Sequence, residues 1–230
     1  SACKKNSIRK FGIRKMIGAA LLIAALITAQ LPMGSVHATD ADFSMNGSTL
    51  VKYNGSDSEI VIPDNVTVIG EEAFSDHDSI ISVTIGNQVT DIRYRAFADC
   101  DQLKEVTIGD QIDTIGNAAF SSCDKLDTVS ISVDKLLSFG TGVFAGCSNL
   151  KALTSENDTT EPNVLFVYEN GAIYNSDKTV LYEMLSGSSE SIYEMPETVN
   201  EIKKYAFWGC QNLQTVILSP ELSVISAYAF

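Results

Sequence analysis

Phenylalanines recur along this chain at a fixed distance: Phe74, Phe97 and Phe120 are 23 residues apart, Phe144 follows at 24, and Phe207 to Phe230 is 23 again. Between them the same apolar phrases return. Leu103-x-x-Val106-x-Ile108 is matched by Ile80-x-x-Val83-x-Ile85 and Leu126-x-x-Val129-x-Ile131, and Ile115-Gly-x-x-Ala119-Phe120 by its copy over residues 92–97. A period in the twenties predicts a solenoid, because a unit this short cannot bury its apolar side chains alone and must stack on copies of itself. Within Val106-Thr107-Ile108 the period-2 alternation turns valine and isoleucine inward and threonine outward. Thr84, Thr107, Ser130 and Ile217 are the corresponding outward positions. The predicted fold is β-rich, a solenoid of short parallel strands with little helix.

Charge is divided unevenly along the sequence. Lys4, Lys5, Arg9, Lys10, Arg14 and Lys15 lie in residues 1–38, which hold no acid; the rest carries 10 bases against 29 acids, hence −19. The basic run leads into an apolar stretch over about residues 16–31 and then Val36-His37-Ala38, small residues where a signal peptidase cuts. About 16 apolar residues ended by Pro32 fall short of the roughly 20 that a membrane-spanning helix needs. Residues 1–38 therefore read as a cleaved signal peptide. An exported remainder this acidic repels phosphate backbones and anionic membrane surfaces. No nucleic-acid partner is predicted, and no membrane insertion once the signal is removed.

Residues 39–59 contain the turn pairs Asn46-Gly47 and Asn54-Gly55, and residues 48–53 read as a strand of an N-terminal capping hairpin. Repeats fill 60–153. The third unit has one residue more than its neighbours, around Lys135-Leu136-Leu137, with Phe139 where the others have isoleucine; a bulge on a loop edge would absorb it. Residues 154–195 read as a linker, polar and turn-rich over 154–162, followed by an inserted antiparallel β-hairpin over 164–195, where short apolar runs alternate with turns such as Asn170-Gly171. Both this segment and the cap place Asn-Gly ahead of a threonine-led strand, at Thr49 and Thr179, so the insertion reads as a fuller copy of the cap. Repeats resume over 196–230, with Met195-Pro196 repeating Ile62-Pro63, and stop inside a unit. Terminal repeats need a polar outer face, so the sequence reads as truncated with more repeats downstream.

The Leu-x-x-Val-x-Ile phrase matches the leucine-rich repeat pattern. Cys100, Cys123, Cys147 and Cys210 each stand three residues after a repeat phenylalanine. Period, Ala-Phe and Cys-x-x-Leu recurring together over about residues 60–230 resemble the BspA-like, or Treponema-type, branch of the leucine-rich repeat proteins. His77 departs from that pattern by occupying a cysteine slot. The resemblance implies a bacterial surface protein that adheres to host proteins or other cells, in a family where hairpin insertions also occur. Ser7-Ile8-Arg9-Lys10, with Asn6 in place of the tyrosine, resembles the start of the "YSIRK" signal peptides of Gram-positive surface proteins.

Catalysis has little to stand on here. His77, flanked by Asp76 and Asp78, is the single histidine after residue 38, and its register with the cysteines points to a structural corner role. Walker, His-Glu-x-x-His and Gly-x-Ser-x-Gly motifs are absent, so no catalytic residue is assigned. Asp99/Asp101 and Asp110/Asp113 read as solvated loop charge. The aligned cysteines have no Cys-x-x-Cys pair for zinc and read as a ladder of small buried residues. Coils about 5 Å apart leave a disulfide geometrically possible as well. Neither metal nor cofactor is predicted.

Trp208 is not demanded by the repeat, since its position holds Ser75, Ala98, Ser121 and Ala145 in other units. Tyr205, three residues earlier, would lie beside it in a helical corner. Exposed Trp and Tyr are frequent binding anchors, and these two are the candidate binding residues; packing against the 164–195 segment is the alternative reading. Signal peptide, extended repeat surface and missing catalytic constellation predict a non-catalytic, secreted or cell-surface protein that binds an extracellular protein or cell-surface ligand, adhesion included. The alternatives are a targeting module of a larger secreted or cell-wall enzyme and a surface spacer.

Overall fold

The structure, a computed structural model, describes residues 38–154 and 164–230. The expected signal peptide, up to residue 37, and residues 155–162 of the expected linker lie outside the described residues. In chain order the strands run β1 (Phe43–Asn46), β2 (Thr49–Tyr53), β3 (Glu59–Val61), β4 (Val68–Ile69), β5 (Ser82–Ile85), β6 (Asp91–Ile92), β7 (Glu105–Ile108), β8 (Thr114–Ile115), β9 (Thr128–Ser130), β10 (Ser138–Phe139) and β11 (Leu153–Thr154). After the undescribed segment come β12 (Phe166–Glu169), β13 (Ala172–Asn175), β14 (Val180–Met184), β15 (Ile192–Glu194), β16 (Glu201–Ile202), β17 (Thr215–Ile217) and β18 (Val224–Ile225).

The regular coils supply strands to two separate sheets, parallel throughout except where β1 pairs antiparallel with β2 at the edge of the second. The Val-x-Ile phrases build β3-β5-β7-β9-β11, in which Val83, Val106 and Val129 are in register. A second sheet, β1-β2-β4-β6-β8-β10, stacks Ile69, Ile92, Ile115 and Phe139. Sequence reading finds the first sheet and misses the second. Strands of two residues are too short to display a period. Identical register brings identical side chains together, and Tyr53, Phe74, Phe97, Phe120 and Phe144 form a buried column with ring centroids 4.7–5.6 Å apart. Such stacked rings contribute beyond their buried area. The extra residue of the third coil is taken up by a 3-10 turn over Val133–Lys135 rather than by the expected bulge.

The corner around each phenylalanine explains the third side of the coil. The residues two before it, Glu72, Arg95, Ala118, Gly142, Tyr205 and Tyr228, all have φ between +51 and +66. So do, at +58 to +82, the residues two after it: Asp76, Asp99, Ser122, Gly146 and Gly209. A left-handed residue at both ends lets alternate N–H groups leave the turn. Glu72, Phe74 and Asp76 donate to the carbonyls of Tyr94, Ala96 and Ala98 in the next coil, while Ala73 and Ser75 close local turns on Gly70 and Glu72. Each such non-glycine residue costs about 1–2 kcal/mol of backbone strain, offset by a hydrogen bond that an unpaired buried N–H would otherwise forfeit.

The cysteines act as donors at this corner. Cys100, Cys123 and Cys147 point their thiols at the carbonyls of Phe74, Phe97 and Phe120, at 3.0–3.1 Å. His77 does the same work in its cysteine slot, with Nε2 2.9 Å from the Tyr53 carbonyl. The next thiol along the ladder and then burial hold Cys100 far above the ordinary range; Cys123, pulled down by Cys100, is raised more by Cys147 and burial, so both stay protonated.

Residues 166–184, expected as an inserted antiparallel hairpin, hold three strands that also join the following repeats. β12, β13 and β14 form an antiparallel meander, and β14 pairs in parallel with β16 to begin a new sheet, β12-β13-β14-β16-β18. β2 pairs with β4 in the same way at the first cap, Leu50 corresponding to Leu181. The Asn170-Gly171 turn, however, joins β12 to β13, and a different turn precedes Thr179. The meander is a wall with both faces buried: Ile173 packs into the core of the first stack, and Ala172 and Tyr174 into that of the second.

Glu183 stands on this wall and is 1% exposed. Met184 takes the Ala206 carbonyl, and the N–H of Phe144 is met instead by Glu183 Oε1 at 2.8 Å. Among the described residues Oε2 has no hydrogen-bond partner. Desolvation pushes this carboxyl up to about 8, against the two backbone N–H groups of Phe144 and Val143 that pull it down, so it is held protonated. Two residues further along the same edge the stacks touch directly. Gly146 donates to the Trp208 carbonyl (3.4 Å), and a Cβ on Gly209 would lie 2.9 Å from Gly146 Cα. Gly209, at φ +82, is required there on both counts.

A candidate binding groove at the stack junction

The corner bearing Tyr205 and Trp208 is the same left-handed turn as in every coil, not a helix. Trp208 N–H donates to the Tyr205 carbonyl (3.0 Å), and Tyr205 has φ +66. The turn nonetheless brings the two together as expected, with ring centroids 5.9 Å apart and planes at 83°. Trp208 is 48% exposed. Tyr205 lies over Gly142 of the first stack, where a Cβ would come within 3.0 Å of its own Cβ.

Reading the corner across coils shows why a groove forms beside them. The column two residues before the phenylalanine reads Glu, Arg, Ala, Gly, Tyr, Tyr, with its two smallest members adjacent at Ala118 and Gly142. A depression of about 300 Å³ results. Asn117, Ala118, Ser121, Thr141, Gly142 and Ala145 form its floor. Tyr94 and Arg95 stand on one side, and Lys204, Tyr205 and Trp208 on the other. Tyr205 and Trp208, singled out from the sequence, line this depression together with Tyr94, Arg95 and Lys204, which the sequence reading did not single out. The small-residue pair flanked by bulky ones was the available signal.

Charges on the two walls differ in how they are held. Arg95 pairs with Asp99 at 2.5 Å and Glu72 at 3.5 Å, so Asp99 is an ion-pair partner rather than purely solvated charge. Lys204 Nζ sits 4.6 Å above the Tyr205 ring and 5.5 Å from that of Tyr228, and among the described residues it has no carboxylate partner. Such cation–π placement fixes an ammonium without neutralising it.

The described residues hold two larger depressions. One, of about 550 Å³, is lined by Phe207, Cys210, Leu213 and Phe230 on the last described coil; the other, about 460 Å³, includes Lys151, Met184 and Tyr193. Neither combines exposed rings with an unpaired cation. Among the described residues, no cluster of three metal-binding side chains exists, and no helix is long and apolar enough to cross a membrane.

Comparison with known proteins agrees with this architecture. The BspA type leucine rich repeat region matches in 6 copies over residues 50–171 and 178–230. The fold is similar to that of a leucine-rich repeat protein from Eubacterium ventriosum, at 20% identity and a TM-score of 0.58 over 79% of this chain and 56% of that one. It is also similar to a leucine-rich repeat protein from Bacteroides ovatus, at 23% identity and a TM-score of 0.54 over 77% of this chain and 43% of that one. The chain thus spans about half the length of these solved structures. No curated protein matches it in sequence. With six copies of the repeat across most of its length, the chain belongs to the BspA-type leucine-rich repeat family.

Proposed function

We propose that this is a non-catalytic binding protein of the secreted or cell-surface kind, which adheres to extracellular macromolecules through the groove beside Tyr205 and Trp208. The observation that carries the reading is the exposed Trp208, on a corner where four other coils carry serine or alanine. Packing does not require that ring, and desolvating a Trp in a rigid, well-packed surround is a recurrent source of binding energy. The walls belong to coils locked by backbone ladders, so little ordering entropy opposes association. A basic, then apolar leader over residues 1–38 supports export, and the acidic remainder suits a partner other than nucleic acid.

The test is adhesion of the purified full chain to cells and to immobilised extracellular-matrix proteins, beside a control protein of equal net charge. Binding above the control, reduced at least tenfold by Trp208→Ala, is the expected result. Binding no greater than the control sinks the adhesive function, and full binding by Trp208→Ala moves it away from this groove.

A further inference from the structure

The groove's chemistry is narrower than its shape. Of the ten bases after residue 38, two line the groove, Arg95 on one wall and Lys204 on the other. Arg95 is engaged by Asp99 and Glu72, and Lys203 by Glu201. Lys204 is the wall cation left open, and it points to an anionic group on the occupant.

The floor limits what else that occupant can be. Its main chain is engaged in the coil-to-coil ladder: Ala118 donates to Thr141, Ser122 to Ala145 and Gly146 to Trp208. An extended peptide therefore finds no strand edge to join. What the groove offers is side chain only. The Ser121 and Ser122 hydroxyls line it, and Asn117, whose Oδ1 accepts the Thr141 N–H, keeps its amide nitrogen as a donor. The rings of Tyr94 and Trp208, each nearly half exposed, complete the set, with Tyr205, itself stacked on Tyr228 at 5.8 Å, backing Trp208. Aromatic faces beside a few placed hydroxyl and amide groups match a sugar ring, which presents C–H on its faces and hydroxyls on its rim. The wall coils are three steps apart, roughly 14 Å between main chains at about 4.8 Å per step. Side chains on both walls narrow that span to about one ring.

We infer that the groove is a glycan site for a pyranose ring bearing a carboxylate, seated against Tyr205 and Trp208 with the carboxylate on Lys204. This assignment rests on the proposed binding function and names its ligand. Two sources share the chemistry, hexuronates and sialic acids.

Trp208 is the sole tryptophan, so its fluorescence reports on this groove alone. The full chain is titrated with hyaluronan tetrasaccharide, its carboxyl-reduced form, 3′-sialyllactose and a hexaglutamate peptide. A saturable change with either acidic glycan is expected; response to the first assigns a hexuronate, and to the second a sialic acid. The carboxyl-reduced sugar, and Lys204→Gln with the intact one, bind at least tenfold more weakly. By calorimetry Trp208→Ala weakens binding at least tenfold, whereas Trp208→Phe retains most of it. No response to either acidic glycan, equal affinity for the reduced form, or equal affinity for hexaglutamate overturns the assignment. If it falls while Trp208-dependent adhesion persists, only the ligand class is wrong; if that adhesion is also absent, the binding function falls with it.

Discussion

Replacing Glu183 by glutamine should make the protein's stability nearly independent of pH between about 5.5 and 7.5, where the wild type weakens. The carboxyl has its ordinary value of 4.5 in the unfolded chain and about 8 in the wall between the stacks. Below pH 4.5 both states hold the proton and the group contributes no pH dependence. Between 4.5 and 8 the unfolded state ionises while the folded one keeps its proton, so stability falls as pH rises, by ~1.4 kcal/mol per unit. Above 8 both are charged and the loss levels off. Two units therefore correspond to about 3 kcal/mol, a large part of a typical domain's stability. Glutamine keeps an oxygen for the Phe144 N–H (2.8 Å in the wild type) and has nothing to ionise. Methionine is equally silent to pH but orphans that N–H, so Glu183→Met should lie about 1–3 kcal/mol below Glu183→Gln throughout. Urea unfolding at a series of pH values, followed by circular dichroism and by Trp208 fluorescence, measures all three proteins. Differences between variants cancel the other titrating groups. Parallel profiles for wild type and Glu183→Gln would show that the carboxyl is solvated, and the description of the wall would be wrong.

Other substitutions test the corner and the column. Gly209→Ala forces a Cβ against Gly146 in a left-handed residue and should cost about 2–4 kcal/mol in urea unfolding. Phe97→Ala removes a ring stacked at 4.7 and 5.1 Å on its two neighbours, with an expected loss of about 3–5 kcal/mol in the same assay. His77→Cys restores the slot's usual donor and should stay within about 1 kcal/mol of wild type, whereas His77→Ala leaves the Tyr53 carbonyl unmet and should cost about 1–3 kcal/mol. Thermal and urea unfolding of the pair distinguish a hydrogen-bonding from a merely space-filling role.

The parts of the fold legible in sequence are those whose signal repeats. Val-x-Ile and the phenylalanine spacing recur often enough to identify the solenoid and one of its sheets, whereas the stacking of those rings into a column is seen only in the structure. The left-handed corner residues escaped notice because most are not glycine: Glu72, Arg95 and Asp99 carry no mark of their backbone, which the coil imposes through its ladder. Glu183 escaped for a different reason. Val180-Leu-Tyr-Glu-Met reads as a strand with one wet face, and only the first stack lying against that face makes the carboxylate buried. At the groove, Trp208 stood out against serine and alanine in its own column. Lys204 did not, because what matters is the absence of a nearby acid, and that follows from three-dimensional neighbours.

The meander has a consequence for how such an array tolerates change in length. In an unbroken stack each coil inherits its phase from the one before, so an inserted residue must be absorbed on the spot, as the 3-10 turn over Val133–Lys135 does, or be passed down the line. β14 ends that inheritance. It takes its register from β13 across an antiparallel pairing and hands a fresh origin to β16 and β18. Most slippage upstream of the wall stops there, and coils on its two sides are free to vary in length without negotiating with each other. The exceptions are the direct contacts of Gly146 with Gly209 and of Gly142 with Tyr205, where the two phases still have to agree, and the second of them lines the groove.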